Sequence, residues 1–371
     1  MKVIADDKIP FLKGVLEDCA EVVYLPGAKI TEKDVKDADA IITRTRTKCN
    51  ERLLDGSNVK FIATATIGFD HIDTEWVEAN GITWTNAPGC NSSSVAQYIC
   101  SVLLNLACRY KISLKDKTLG VVGVGNVGSK VAKVGEALGM RVLLNDPPRA
   151  EKEGRDNFVE LEQVVAESDF LTMHVPLEKG GKYPTFHLGN MELFSGMKNR
   201  AFYVNSSRGS VCDNQALKEA LKQKEIAGAV LDVWENEPEL DLKLLELVEF
   251  GTPHIAGYSA DGKANGTAMS VNALSKFFDL KYKDWYPDNV PVPENSSLVI
   301  SANGSFEEKM LAAVNLSYNV GNDSELLVNS PSTFEKQRGD YPLRREFPVF
   351  SAQCDDPVVA EALKKLGFQV K

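Results

Sequence analysis

The feature that most constrains this 371-residue chain is Gly123-Val124-Gly125-Asn126-Val127-Gly128, set directly behind the apolar run Thr118-Leu119-Gly120-Val121-Val122. In a strand that ends in G-x-G-x-x-G and continues into a helix, each glycine has a task. The first two let the backbone turn tightly and approach a pyrophosphate, and the third lets helix and strand pack closely. The N–H groups at the helix start then face the phosphates. Val127 to Leu138 has a helical period, Gly139 stops it, and Arg141 to Asn145 reads as the next strand. Asp146 closes that strand. Its carboxylate accepts from ribose hydroxyls and repels a 2′-phosphate, so the cofactor is expected to be NAD, against which the nearby cation Arg149 weighs slightly.

The turn sits in a longer alternation. Before it, Lys2 to Ala5, Val22 to Leu25, Ala40 to Thr43 and Phe61 to Thr64 read as strands, with a helix predicted over Pro10 to Cys19. After it come Phe170 to His174, Ala201 to Asn205 and Ala229 to Asp232, separated by helical segments such as Asn214 to Lys224. Strands alternating with helices predict parallel α/β sheets. Beyond Leu280 the proline-rich stretch from Lys283 to Pro293 reads as a linker. A strand over Leu298 to Ser301 and helices over Phe306 to Tyr318 and Val358 to Leu366 follow it.

Composition narrows the partners. The formal net charge of −10 argues against nucleic acid, and any positive charge for an anionic substrate has to be local. Seven cysteines without a C-x-x-C spacing argue against a disulfide framework and against a metal site, and predict reduced thiols in a cytoplasmic protein. Acidic residues at positions 6 and 7 arrive too early for a signal peptide. The apolar stretch from Val95 to Cys108 is broken by Gln97, Tyr98 and Asn105, which predicts a buried helix and no membrane partner.

Three further segments each follow an apolar strand: Asn205-Ser206-Ser207-Arg208-Gly209, Asp232 to Pro238, and Thr252-Pro253-His254-Ile255-Ala256-Gly257-Tyr258. Ligands of open α/β sheets bind beyond the carboxyl ends of the strands, so all three are expected at one crevice. The residue types suit oxidation of a hydroxy acid. A guanidinium, Arg208, binds a carboxylate with two parallel hydrogen bonds. A histidine, His254, takes the hydroxyl proton while hydride leaves the same carbon. A glutamate, Glu237, orients that histidine and favours its protonated form. Asp232 is a candidate cofactor contact. Among the other histidines, His174 at a strand end ranks next, while His71 and His187 lack a comparable setting.

Together these segments, with His174-Val175-Pro176-Leu177, resemble the D-isomer-specific 2-hydroxyacid dehydrogenase family over roughly residues 1 to 280. The resemblance implies an NAD-dependent 2-hydroxyacid dehydrogenase with Arg208, Glu237 and His254 as catalytic residues. It implies cofactor contacts at Gly123, Gly125, Asn126, Val127, Gly128, Asp146, Val175, Ser206, Ser207, Asp232 and Gly257. At Val175 related chains carry a hydroxyl residue, so a contact there is main-chain or apolar. Further stretches, among them Ala63 to Asp73, Ala87 to Asn91 and Leu177 to Tyr183, point to a branch whose hydroxy acid carries a phosphate at its far end. Thr45, Thr66 and Tyr258 are then substrate contacts, and Arg44 is added for the phosphate on charge alone. Arg46 and Lys48 read as a solvated basic patch. Arg344 and Arg345 are further cations that could reach a neighbouring subunit's site, which nothing in the sequence shows.

The implied architecture is a Rossmann-type doubly wound parallel sheet, residues 96–257, inserted in a flavodoxin-like substrate domain, residues 1–95 completed by 258–282. A small C-terminal α+β dimerisation domain, residues 290–371, makes a homodimer. Catalysis is expected in a cleft between the two lobes. The competing readings are a dehydrogenase for another phosphorylated 2-hydroxy acid such as 3-phosphoglycerate, and a non-catalytic NAD-sensing scaffold.

Overall fold

The computed structural model describes residues 1–371 and divides into two units, Met1–Asn91 with Ser259–Pro291, and Ser92–Tyr258 with Val292–Lys371. In the first unit, β1 (Lys2–Asp6), β2 (Glu21–Leu25), β3 (Ala40–Thr43), β4 (Phe61–Thr64) and β5 (Thr83–Thr85) form a parallel sheet in the order β2-β1-β3-β4-β5. That is the flavodoxin-like order. Successive side chains of a strand point to opposite faces, so each buried strand feeds two cores. Ile4, Ile41 and Ile62 face one core, with Val35, Leu53 and Val77. Val3, Ala5, Ala40, Ile42, Phe61 and Ala63 face the other, which is completed by Val271 and Leu274 of the helix Ala260–Phe277. The return segment is therefore part of this unit's core.

The expected helix over Pro10 to Cys19 is a run of turns. Leu12 and Leu16 are buried at helical spacing, but Phe11 and Gly14 have φ of 63° and 90°, which no right-handed helix accommodates. The spacing of the apolar residues is satisfied without the helix.

In the second unit, β6 (Thr118–Val122), β7 (Arg141–Asn145), β8 (Phe170–Met173), β9 (Phe202–Asn205), β10 (Gly228–Leu231) and β11 (Phe250–Gly251) form a parallel sheet ordered β11-β10-β9-β8-β6-β7. The winding reverses between β6 and β8, and a crevice opens outside the carboxyl ends of those strands. The helix Ser92–Tyr110 is buried along nearly its whole length, as its mixed apolar sequence predicts.

The C-terminal segment adds a small parallel sheet, β12 (Ser297–Val299), β13 (Ser351–Gln353) and β14 (Gln369–Val370). Its helices Phe306–Ser317, Val320–Asn329 and Pro357–Leu366 contribute Met310, Val314, Val320 and Leu363 to the same core as Val102 and Leu106 of the helix Ser92–Tyr110. No helix of the chain is long and apolar enough to cross a membrane.

Candidate active site

The glycine turn has the geometry its sequence demands. Gly123 has φ +85°, and a Cβ there would lie 2.6 Å from the His174 carbonyl oxygen; a Cβ on Gly128 would lie 1.9 Å from the Gly123 oxygen. Neither position admits a side chain. A Cβ on Gly125 would meet nothing within 4 Å, so this backbone is open to a ligand. Gly125 also begins the helix Asn126–Ala137 without a side-chain cap, leaving its first N–H groups for an anion.

Asp146 accepts from Val124 N–H at 2.8 Å and from Arg149 N–H at 3.0 Å, and its oxygens keep lone pairs for ribose hydroxyls. Arg149 is turned away from any 2′-phosphate. Its Nη1 donates to the Val124 oxygen at 2.5 Å, and its Nε and Nη2 donate to Glu153. Ser206 Oγ and His174 Nδ1, just beyond β9 and β8, are buried without a hydrogen-bond partner. An open glycine cradle, an uncapped helix start and two orphaned polar atoms at the same strand ends fit a dinucleotide. Val175 contributes only an apolar side chain, packed against the Gly123 turn.

Three loops converge beyond β9, β10 and β11. Asn205 Nδ2 donates to the Arg208 oxygen at 3.0 Å, and Ser207 donates to Asn205 Oδ1 through both its N–H and its hydroxyl. Gly209 lets this loop run against the next one: a Cβ there would lie 2.0 Å from the Trp234 oxygen. The Arg208 side chain is exposed, and only Nη1 is engaged, by the Ser207 oxygen at 2.8 Å. The rest of the fork is open to a carboxylate.

His254 has φ +56°, a left-handed conformation that costs a non-glycine residue about 1 kcal/mol or more. Its Nδ1 lies 2.5 Å from Glu237 Oε1, and the other Glu237 oxygen accepts from Trp234 N–H at 3.2 Å. Burial pushes the Glu237 carboxyl up, but the bond to His254, the His254 charge, the Trp234 N–H and the Arg338 charge together hold it below its ordinary value. With Nδ1 engaged, Nε2 is the imidazole atom left for a substrate proton.

Asp232 is buried, and its carboxylate serves the His254 loop. Oδ1 accepts from Thr252 Oγ1 at 2.7 Å and Ile255 N–H at 2.8 Å, and Oδ2 from Ala256 N–H at 3.0 Å. His174 is the wrong histidine for acid/base work, because burial holds its imidazole down at about 3. His187 does have a partner that its sequence setting conceals: Nε2 lies 2.6 Å from Glu235 Oε1.

In the first unit, β3 and β4 are neighbours, so their following loops run side by side. They carry Arg44 and Thr45, and Thr66. Arg44 Nε contacts the buried Asp6 at 3.3 Å, and Thr66 Oγ1 sits 2.8 Å from Thr64 Oγ1. Arg46 and Lys48 are exposed. Lys263, which sequence reading passed over, lies in the same unit; burial and the Arg44 charge push its ammonium down to about 8. Tyr258 sits edge-on to Tyr341 with ring centroids 6.0 Å apart, beneath the Arg338 guanidinium. Arg344 is partly buried and hydrogen-bonded to Gln97, Ile255, Ala256 and Tyr341 of its own chain.

Residues 105–256 match the family model for the D-isomer specific 2-hydroxyacid dehydrogenase NAD binding domain, and residues 290–367 match one described as a domain of unknown function. The erythronate-4-phosphate dehydrogenase of Bacteroides fragilis is 52% identical over 93% of this chain and 97% of its own. That of Bacteroides thetaiotaomicron is 53% identical over 95% and 99%. Among solved structures, D-lactate dehydrogenase from Aquifex aeolicus, complexed with NAD and lactic acid, superposes with a TM-score of 0.60 at 30% identity, covering 75% of this chain and 96% of that one. The chain belongs to the D-isomer-specific 2-hydroxyacid dehydrogenase family, on the branch of these erythronate-4-phosphate dehydrogenases. It is an NAD-dependent oxidoreductase of hydroxy acids.

Proposed function

We propose that this enzyme oxidises 4-phospho-D-erythronate at C2 to 2-oxo-3-hydroxy-4-phosphobutanoate, on the route to pyridoxal 5′-phosphate. The observation that carries the chemistry is the Glu237–His254 hydrogen bond, with an exposed Arg208 fork on the loop after β9. Arg208 holds the substrate carboxylate in a bidentate pair and fixes the C2 carbon. His254 Nε2 takes the C2 hydroxyl proton, and Glu237 at Nδ1 stabilises the imidazolium that forms. The glycine turn and Asp146 would hold NAD, which would supply the hydride acceptor. Asp232 acts as a positioning residue for the His254 loop.

For the far end of the substrate the support lies in the first unit. Thr45 and Thr66 offer hydroxyls, with Tyr258 from the second unit. Arg44 and Lys263 offer positive charge, and a phosphate dianion offsets both the burial of Lys263 and its repulsion by Arg44. The relatives' names favour erythronate 4-phosphate over 3-phosphoglycerate. The test is NADH formation with each acid: clear preference for 3-phosphoglycerate overturns the substrate, and no turnover of either revives the scaffold reading.

The enzyme is further read as a cytoplasmic homodimer. Free thiols throughout and the acidic net charge support the compartment. Exposed Val299, Leu326, Val328 and Val358 on the C-terminal segment support a pairing face there. Sedimentation at micromolar concentration checks it; a monomer removes the dimer reading.

A further inference from the structure

The His254 loop is held from two sides. Asp232 takes the N–H groups of Ile255 and Ala256. The carbonyls of the same two residues point the other way, to Arg344 in the C-terminal segment: Nη1 donates to the Ile255 oxygen at 3.3 Å and Nη2 to the Ala256 oxygen at 2.7 Å. The rest of the guanidinium is equally engaged. Nε donates to Gln97 Oε1 at 3.0 Å, Nη1 to Tyr341 Oη at 2.9 Å, and Nη2 reaches Ser94 O and Oγ at 3.4 and 3.3 Å. The cation also lies 4.0 Å from the centre of the Tyr318 ring.

No carboxylate lies within ion-pair distance of this partly buried cation; the charge of Asp323 acts on it, and Asp323 accepts from the Tyr341 hydroxyl to which Nη1 donates. Taking a charge out of water is costly, and neutral acceptors compensate it only when every donor is matched. Here they are matched, in a planar fork whose geometry is fixed. Such a fork holds two consecutive peptide groups in one orientation. The residue just before them is His254, in its strained left-handed conformation, which persists only where its surroundings over-determine it. A second C-terminal cation reinforces the picture: Arg338 lies over Tyr258 and its charge helps keep Glu237 ionised.

We infer that the C-terminal segment, the part matching a domain of unknown function, belongs to the catalytic apparatus of its own chain, with Arg344 as the positioning residue that locks the His254 loop. This role is separate from any pairing of subunits, and it rests on the reading of His254 as the acid/base.

The test compares full-length wild type with Arg344→Met, Arg344→Lys and Tyr341→Phe in NADH formation from 4-phosphoerythronate. Arg344→Met is expected to lower kcat by about 10–100-fold, as misplacement of a catalytic group does, with KM and the sedimentation coefficient unchanged. Arg344→Lys, which keeps charge but not the fork, is expected to recover part of kcat. Tyr341→Phe removes one Arg344 partner without touching the loop, and guards against a Met variant that fails to fold. Its expected signature is faster amide exchange at Ile255 and Ala256 together with a smaller loss of kcat. Folded variants with wild-type kcat and unchanged exchange at those amides overturn the inference. A wild type inactive on every hydroxy acid instead refutes the functional reading beneath it.

Discussion

The second unit holds two histidine–glutamate pairs built from one loop, and they differ where chemistry requires it. His254 pairs with Glu237 and His187 with Glu235, at 2.5 and 2.6 Å. Both histidines have positive φ, 56° and 51°. Yet the His187 ring is stacked on Phe186 at 3.9 Å, its other nitrogen faces Asp213 at 4.0 Å, and Glu235 is also tied to the Asn214 N–H at 3.0 Å. Both nitrogens of His187 thus face carboxylates of the fold. His254 keeps Nε2 without a protein partner, its Nδ1 alone being engaged. A hydrogen-bonded pair alone therefore does not mark a catalytic centre; what separates the two is that His254 keeps its second nitrogen free of a carboxylate.

The comparison can be broken by substitution. His254→Ala is expected to lower kcat by about 10³–10⁴-fold in single-turnover NADH formation, as loss of a general base does. A loss under tenfold would put the chemistry elsewhere. Glu237→Gln keeps the shape but not the charge, and should lower kcat/KM by about 100-fold, since the imidazolium formed in the reaction loses its stabilising carboxylate. His187→Gln should leave kcat within about threefold and reduce stability by about 1 kcal/mol, the typical worth of one hydrogen bond, read by urea denaturation. A large loss of kcat there, with the fold intact, would erase the distinction between the pairs.

Two groups give the comparison a pH signature. Folded His174 stays neutral down to about 3, while its unfolded counterpart protonates near 6.5. The unfolded chain binds the extra proton in that window, so stability is full above 6.5 and declines as pH falls toward 3. Glu237, held below 4.5 when folded, stabilises the fold above 4.5, and this is lost as pH falls through its folded value. Urea midpoints measured from pH 7 to 4 should fall less steeply in His174→Asn than in wild type; parallel curves would contradict the burial of that ring.

Local signals were the legible ones. β3, β4, β6 and β7 begin and end where their apolar runs do, and the glycine turn, Asp146, Arg208, Glu237 and His254 stand at strand ends as their spacing predicts. What stayed hidden depends on contacts distant in sequence. The Glu235 partner of His187 is 48 residues away, and Arg344 lies 88 residues beyond Ala256. Lys263 looks like any helix-surface lysine until the fold buries it near Arg44. The failed helix at Pro10 to Cys19 shows that apolar spacing reports burial, while Phe11 and Gly14 decide the backbone. The short strands β5, β13 and β14 have too few residues to show any period.

The first unit's split composition has a consequence for how the protein is made. During synthesis the five strands from Lys2 to Thr85 emerge first, but Val271 and Leu274, which cover Val3, Ile42 and Phe61, come only after the whole intervening region. Until then that face of the nascent sheet is covered only in part, by Ile9, Leu12 and Leu16, and the rest is the kind of exposed apolar surface that draws chaperones or aggregates. A ribosome stalled before Ser259 thus carries a sheet whose core still lacks Val271 and Leu274 of the helix Ala260–Phe277.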